Sequence, residues 1–149
     1  MNHDHAHSEH SHAPARKLTR NQTLVLDELR AATRPMSAYA LLDKLRPEGL
    51  KAPLQVYRAL DRLVGDGAAH RLESLNAFVA CSHGGCSEHT ATGFMICETC
   101  GNVTEFEDDD LADELLRKGR RQGFAVRRAN IELIGSCLDC AEGEESASS

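Results

Sequence analysis

"KAPLQVYRALDRLVGDG", residues 51–67, decides how the first half of the chain is built. Pro53 suits a first helical turn, where a missing N–H costs nothing, and Gly65 and Gly67 suit a helix end followed by a turn. Val56, Leu60 and Leu63 fall at i, i+4 and i+7 and make one apolar stripe. Gln55, Arg58 and Arg62 fall on a different face, which is polar and basic. Upstream, "LTRNQTLVLDELRAA" (18–32) places Leu24, Leu26 and Leu29 in one helical stretch. "MSAYALLDKLR" (36–46) follows, with Ser37 as N-cap ahead of Leu41, Leu42 and Leu45. Downstream, "AAHRLESLNAFVA" (68–80) reads as two short strands around Ser74–Asn76. Two short helices followed by a hairpin predict a winged helix-turn-helix, whose second helix lays its exposed face in the major groove of DNA. There Arg donates two hydrogen bonds to guanine and an aromatic ring touches a thymine methyl, which makes Arg58 and Tyr57 candidate reading residues beside Gln55 and Arg62. The plainer alternative puts Tyr57 partly in the core and leaves Arg62 solvated.

The whole chain sets the bounds. Its 149 residues, 41% apolar and without Trp, suffice for one ordinary domain or two small ones with aliphatic cores. No apolar run near the start resembles a signal peptide and none later has the length of a membrane span, so a cytoplasmic protein with no membrane partner is expected. Residues 14–80 carry 11 Lys or Arg against 7 Asp or Glu, whereas residues 81–149 carry 6 against 14. Two units with different partners follow from that split, and a basic first unit suits a polyanion.

The second half is organised by cysteine. "FMICETCGN" and "IGSCLDCAE" each hold a C-x-x-C pair, Cys97/Cys100 and Cys137/Cys140, with 36 residues between the pairs. A compact zinc ribbon separates its pairs by about 15–20 residues, so a larger unit folds in between. "NVTEFE" reads as a strand and "DDDLADELLRKGRRQG" as a helix with Leu111 and Leu115 inward. "FAVRRANIELIG" reads as a strand alternating through Phe124 and Val126, then shifting phase at a bulge to Ile131 and Leu133. The run Asp108–Asp110 at the helix start and Arg117, Lys118, Arg120 and Arg121 near its end complement the helix dipole, a better account of the acids than a metal cage. In a reducing compartment four cysteines so spaced favour a closed structural zinc site, with a dithiol–disulfide switch as the alternative. Paired catalytic carboxylates, a nucleophile constellation and a phosphate loop are all missing from the sequence, and no enzyme is expected.

"PLQVYRALDRLVGDG", "HRLESLNAF", "CETCGNVTEF" and "CLDC" together resemble the ferric uptake regulator (Fur) family of metal-responsive repressors over about residues 16–140, with the zinc uptake regulator (Zur) branch most similar. The resemblance implies an α+β chain: a winged helix-turn-helix that reads an AT-rich inverted repeat in double-stranded DNA, followed by a small α/β domain that makes a homodimer. It also implies one structural and one regulatory Zn2+ per subunit, and repression of zinc-uptake genes by the zinc-loaded dimer. Four positions match the regulatory site of that branch: His70, Cys81, His89 and Glu105. His83 and Cys86 in "CSHGGCSEH" are alternatives to His89. Cys81 favours zinc, since thiolates suit it well, while an iron or peroxide sensor is the rival within the family.

The chain departs from the family at "LTRNQ", where Gln22 stands in a position often held by Arg; Arg20 or Arg16 is expected to make the phosphate contact instead. The expected layout is a disordered His-rich tail (1–13), a DNA-binding domain (14–78), a hinge (79–86), the zinc-holding dimer domain (87–140) and a disordered acidic tail (141–149). A zinc carrier or buffer, from a different functional class, accounts for the ligands but leaves the basic helix face and the wing without a role.

Overall fold

The computed structural model describes residues 17–82 and 91–146. Helix α1 (Arg20–Ala31) starts at a capping box: Thr19 Oγ1 accepts from the Gln22 N–H at 3.3 Å and Gln22 Oε1 accepts from the Thr19 N–H at 3.0 Å. Helix α2 (Ala38–Leu45) is capped by Ser37, whose hydroxyl accepts from the Ala40 N–H. After one 3-10 turn, α3 (Pro53–Gly65) begins at Pro53 as expected, and Val56, Ala59, Leu60 and Leu63 are its buried face. These side chains, with Val25, Leu26, Leu29, Leu41, Leu42, Leu45 and Leu50, form one core. Strands β1 (Ala69–Leu72) and β2 (Ala77–Ala80) make the hairpin, turning through Asn76 with φ of 46°. Met36 bridges Phe78 through two backbone hydrogen bonds and ties the hairpin to the helices.

The second unit is a three-stranded sheet in the order β4-β3-β5. Strands β3 (Ala91–Cys97) and β4 (Val103–Phe106) are antiparallel, while β5 (Ala129–Gly135) returns parallel to β3 after helix α4 (Asp109–Arg121). Helix α5 (Leu138–Ser146) follows, so that positions 141–146, expected to be disordered, are helical.

Two further expectations are corrected. The stretch around Phe124 and Val126 is no strand, because it folds back on the end of α4: the Phe124 N–H donates to the Gly119 carbonyl and Val126 packs over Gly119. Gly123, at φ 71°, makes that reversal possible. On α4 itself Leu111 is exposed, Leu115 is only half-buried and Ala112 is the buried residue. Ala112 and Gly119, both small, lie seven residues apart, about two turns along one face.

The two units share a core. Leu72, at the end of β1, is buried with Phe94 and Ile96 of the sheet, and Val79 and Val103 pack against them. Alternation along β1 puts His70 on the same face as Leu72, so the wing turns a mixed apolar and imidazole face toward the second unit.

Candidate functional site

The two C-x-x-C pairs meet at one end of the sheet. Cys97 closes β3, and the turn after it is fixed by the Gly101 N–H donating to the Cys97 carbonyl, with Gly101 at φ 73°. Cys137 follows β5, and its N–H donates to Cys97 Sγ at 3.3 Å. The sulfurs of Cys97, Cys100, Cys137 and Cys140 lie within 4.8 Å of one another, with Cys100 and Cys137 at 3.8 Å. Zinc–thiolate bonds of about 2.3 Å in a tetrahedron place sulfurs about 3.8 Å apart, so the donor set and its spacing fit that ion.

The thiols divide unevenly. Amide hydrogen bonds, first from Cys100 and then from Cys137, lower the Cys97 pKa to about 6. Hydrogen bonding with Cys137 is the main cause that pushes Cys140 up to about 12. Metal binding requires the thiolate form, which the hydrogen bonds around Cys97 favour.

A second constellation lies between wing and sheet. Ligand atoms of His70, Cys81 and Glu105 lie within 4.8 Å of one another. His70 stands on β1, Cys81 one residue past β2 and Glu105 on β4. His70 Nε2 is buried, has no hydrogen-bond partner among the described residues and lies 3.5 Å from Glu105 Oε1. The imidazole packs against the Phe94 ring, with centroids 5.3 Å apart. Burial is the largest influence on His70 and lowers its pKa, with Glu105 opposing, so the neutral, metal-ligating form is favoured. Ser82, which the sequence reading missed, fixes the other Glu105 oxygen through its N–H and hydroxyl, at 3.1 and 2.9 Å. Its only signal in the sequence is its position beside Cys81.

An orphaned buried nitrogen, a carboxylate held in place and a cysteine sulfur suit a zinc ion. Cys81 is disulfide-bonded in this structure, so the trio is a ligand set in its reduced form. His89, and the alternatives His83 and Cys86, also lie outside the described residues.

The expected DNA-reading side chains fall on two kinds of site. Tyr57 is 37% exposed and Arg58 is exposed on the outer face of α3. Gln55 is engaged locally, its Oε1 accepting from the Lys51 and Ala52 N–H groups at the helix start. Arg62 is engaged too, donating to Asp66 at 2.9 Å. Arg20 donates to the Glu48 carbonyl at 2.7 Å, and Arg16 lies outside the described residues.

Comparison with known proteins finds matches over most of the chain. The ferric uptake regulator family model matches residues 15–134. The chain is 38% identical over 129 residues to the zinc uptake regulation protein of Escherichia coli (strain K12), a match spanning 86% of this chain and 75% of that one. It is 30% identical over 105 residues to the protein of the same name from Mycobacterium tuberculosis (strain H37Rv), covering 70% and 78%. Among solved structures, it resembles a zinc uptake regulator complexed with zinc and DNA, at 37% identity and a TM-score of 0.79 over 87% of this chain and 86% of that one. It also resembles holo XcZur, at 40% identity and a TM-score of 0.77 over 85% and 87%.

Proposed function

Because the chain belongs to the ferric uptake regulator family, we propose that it is a zinc-responsive, DNA-binding transcriptional repressor acting as a homodimer, and not an enzyme. The observation that carries this is the constellation of His70, Cys81 and Glu105, three ligand types drawn from the wing, the segment after it and the sheet. We assign the regulatory zinc to these residues together with His89, and a second, structural zinc to Cys97, Cys100, Cys137 and Cys140. A cytoplasmic location fits both sets, since each works only with reduced thiols.

Zinc supplies a divalent centre that accepts imidazole, thiolate and carboxylate together. By ligating it, His70, Cys81 and Glu105 fix the wing against the sheet. Helix α3 follows, because the Ala68 N–H binds the Leu63 carbonyl and the linker from helix to wing is only Asp66–Ala68. In a dimer two such helices must be spaced to meet half-sites along the duplex. An AT-rich inverted repeat upstream of zinc-uptake genes is the target we assign. A differential zinc affinity of about 1–3 kcal/mol between postures changes DNA affinity roughly 5- to 150-fold.

The test is a titration of chelator-stripped, reduced protein with zinc and, separately, iron(II), against a fluorescent inverted-repeat duplex. Zinc is expected to induce tight binding at lower free concentration than iron. Equal binding by the stripped protein would overturn metal control, and a preference for iron would reassign the sensed metal. Zinc uptake without any DNA binding would favour the carrier reading.

A further inference from the structure

Two carboxylates flank Phe94 on the face of the sheet that meets the wing, and only one of them, Glu105, belongs to the candidate metal-ligating cluster. Phe94 on the central strand pairs with Glu105 of β4 on one side and with Glu132 of β5 on the other. Paired residues on neighbouring strands project to the same face, so the three form a row of carboxylate, ring and carboxylate. Each member touches the hairpin. Glu105 lies against His70, and Phe94 packs on the same imidazole. Glu132 holds the turn: Oε1 accepts from the Glu73 N–H at 2.6 Å and Oε2 from the Ser74 N–H at 3.1 Å. Asn130, two residues before Glu132 and thus on the same face, donates to the Arg71 carbonyl at 3.5 Å.

Both oxygens of one carboxylate on two successive amides make a directional, charge-assisted contact. Burial pushes the Glu132 carboxyl up, but the Ser74 hydroxyl and the Ser74 and Glu73 amides outweigh it and hold the group below its ordinary value. Leu72, buried against Phe94 between these two grips, is the natural pivot. At one side of the pivot the hairpin contributes His70 to the proposed metal site, and at the other it is held by Glu132, which needs no metal.

We propose that Glu132 is a positioning residue for DNA recognition: a metal-independent latch that keeps the wing, and with it α3, near the posture that zinc then completes. The proposal rests on the zinc-dependent reading above. Loss of the latch lets the metal-free hairpin swing about Leu72, so the binding-competent posture becomes rarer and zinc must select it from a broader set.

The test compares wild type, Glu132→Gln and Glu132→Ala as full-length, reduced protein. Zinc per subunit and dimer content should be unchanged. In Glu132→Ala the free zinc needed for half-maximal duplex binding should rise about tenfold, with a similar loss of duplex affinity at saturating zinc. Glu132→Gln, which keeps one acceptor, should fall between; it alone carries the test if the alanine variant does not fold. A role confined to stability would lower the melting temperature and leave the zinc midpoint in place, and a midpoint within about twofold of wild type therefore overturns the proposal. If wild type binds DNA without zinc, the functional reading fails instead. The latch is then judged by hydrogen exchange of the Glu73 and Ser74 amides in metal-free protein, where faster exchange in the variants upholds it and unchanged exchange overturns it.

Discussion

His70 is shaped by its surroundings before any metal reaches it. Its folded-state pKa is depressed, mainly by burial. The unfolded chain therefore takes up a proton more readily, and the stability that goes with neutral His70 is complete above its ordinary value near 6.5 and is lost as pH falls through the lowered folded-state value. Urea denaturation of chelator-treated protein should show this loss, and His70→Gln should flatten it; an unchanged acid profile in the variant would locate the sensitivity elsewhere. Cys81→Ser should remove one zinc per subunit and abolish zinc-dependent DNA binding while the melting temperature of the metal-free protein stays near wild type. An intact zinc response in that variant would exclude Cys81 as a ligand. These positions were legible only through family resemblance, because they sit on three separate segments and nothing local marks any of them as a ligand. Glu132 was not legible at all. Its partners are two backbone amides on another element, and a lone Glu in a strand carries no trace of them.

Helix α3 shows how far pattern reaches. Its buried stripe of Val56, Leu60 and Leu63 was legible because spacing alone dictates which residues face inward. Its outward face was less so: Gln55 caps the helix start and Arg62 bonds Asp66, both local uses invisible to a face-by-face count. Tyr57 and Arg58 are left as the side chains free to approach a duplex. Arg58→Ala is expected to weaken specific duplex binding by about 5- to 150-fold, the worth of a bidentate contact to guanine, with little change in melting temperature. Equal binding by the variant in an anisotropy titration would remove Arg58 from the interface. Helix α4 was misread for a related reason. Leucines dominate a hydrophobicity scan, yet the residue that is buried is Ala112, and Val126 packs over Gly119, where a side chain would collide. Such a glycine contact also turns Phe124–Val126 away from the sheet, and hydrophobic alternation cannot reveal that.

Across the whole molecule, the break in charge near residue 80 is visible in composition, but the shared core of Leu72, Phe94 and Ile96 is not, because it joins residues far apart in sequence. The cysteine pairs were legible from spacing, and the structure gives the reason for their separation: β4, α4 and β5 lie between them, and the four sulfurs gather where β3, β5 and α5 meet. Zinc held by these four cysteines, as proposed, would contribute directly to folding. Cys97→Ser should therefore lose a tightly held zinc and either unfold the second unit or break the dimer, seen by circular dichroism and sedimentation. A stable dimer with normal metal content would refute a structural role for that site.

Gly93 has a consequence that reaches well beyond its size. A methyl group at this position would fall inside the ring of Phe106, its partner on β4. Relief requires the ring to swing out or the two strands to part, and the residue next to Phe106 is Glu105. A screen for alleles blind to zinc would thus be expected to return Gly93→Ala, a lesion that looks regulatory in a colony assay although every ligand is intact.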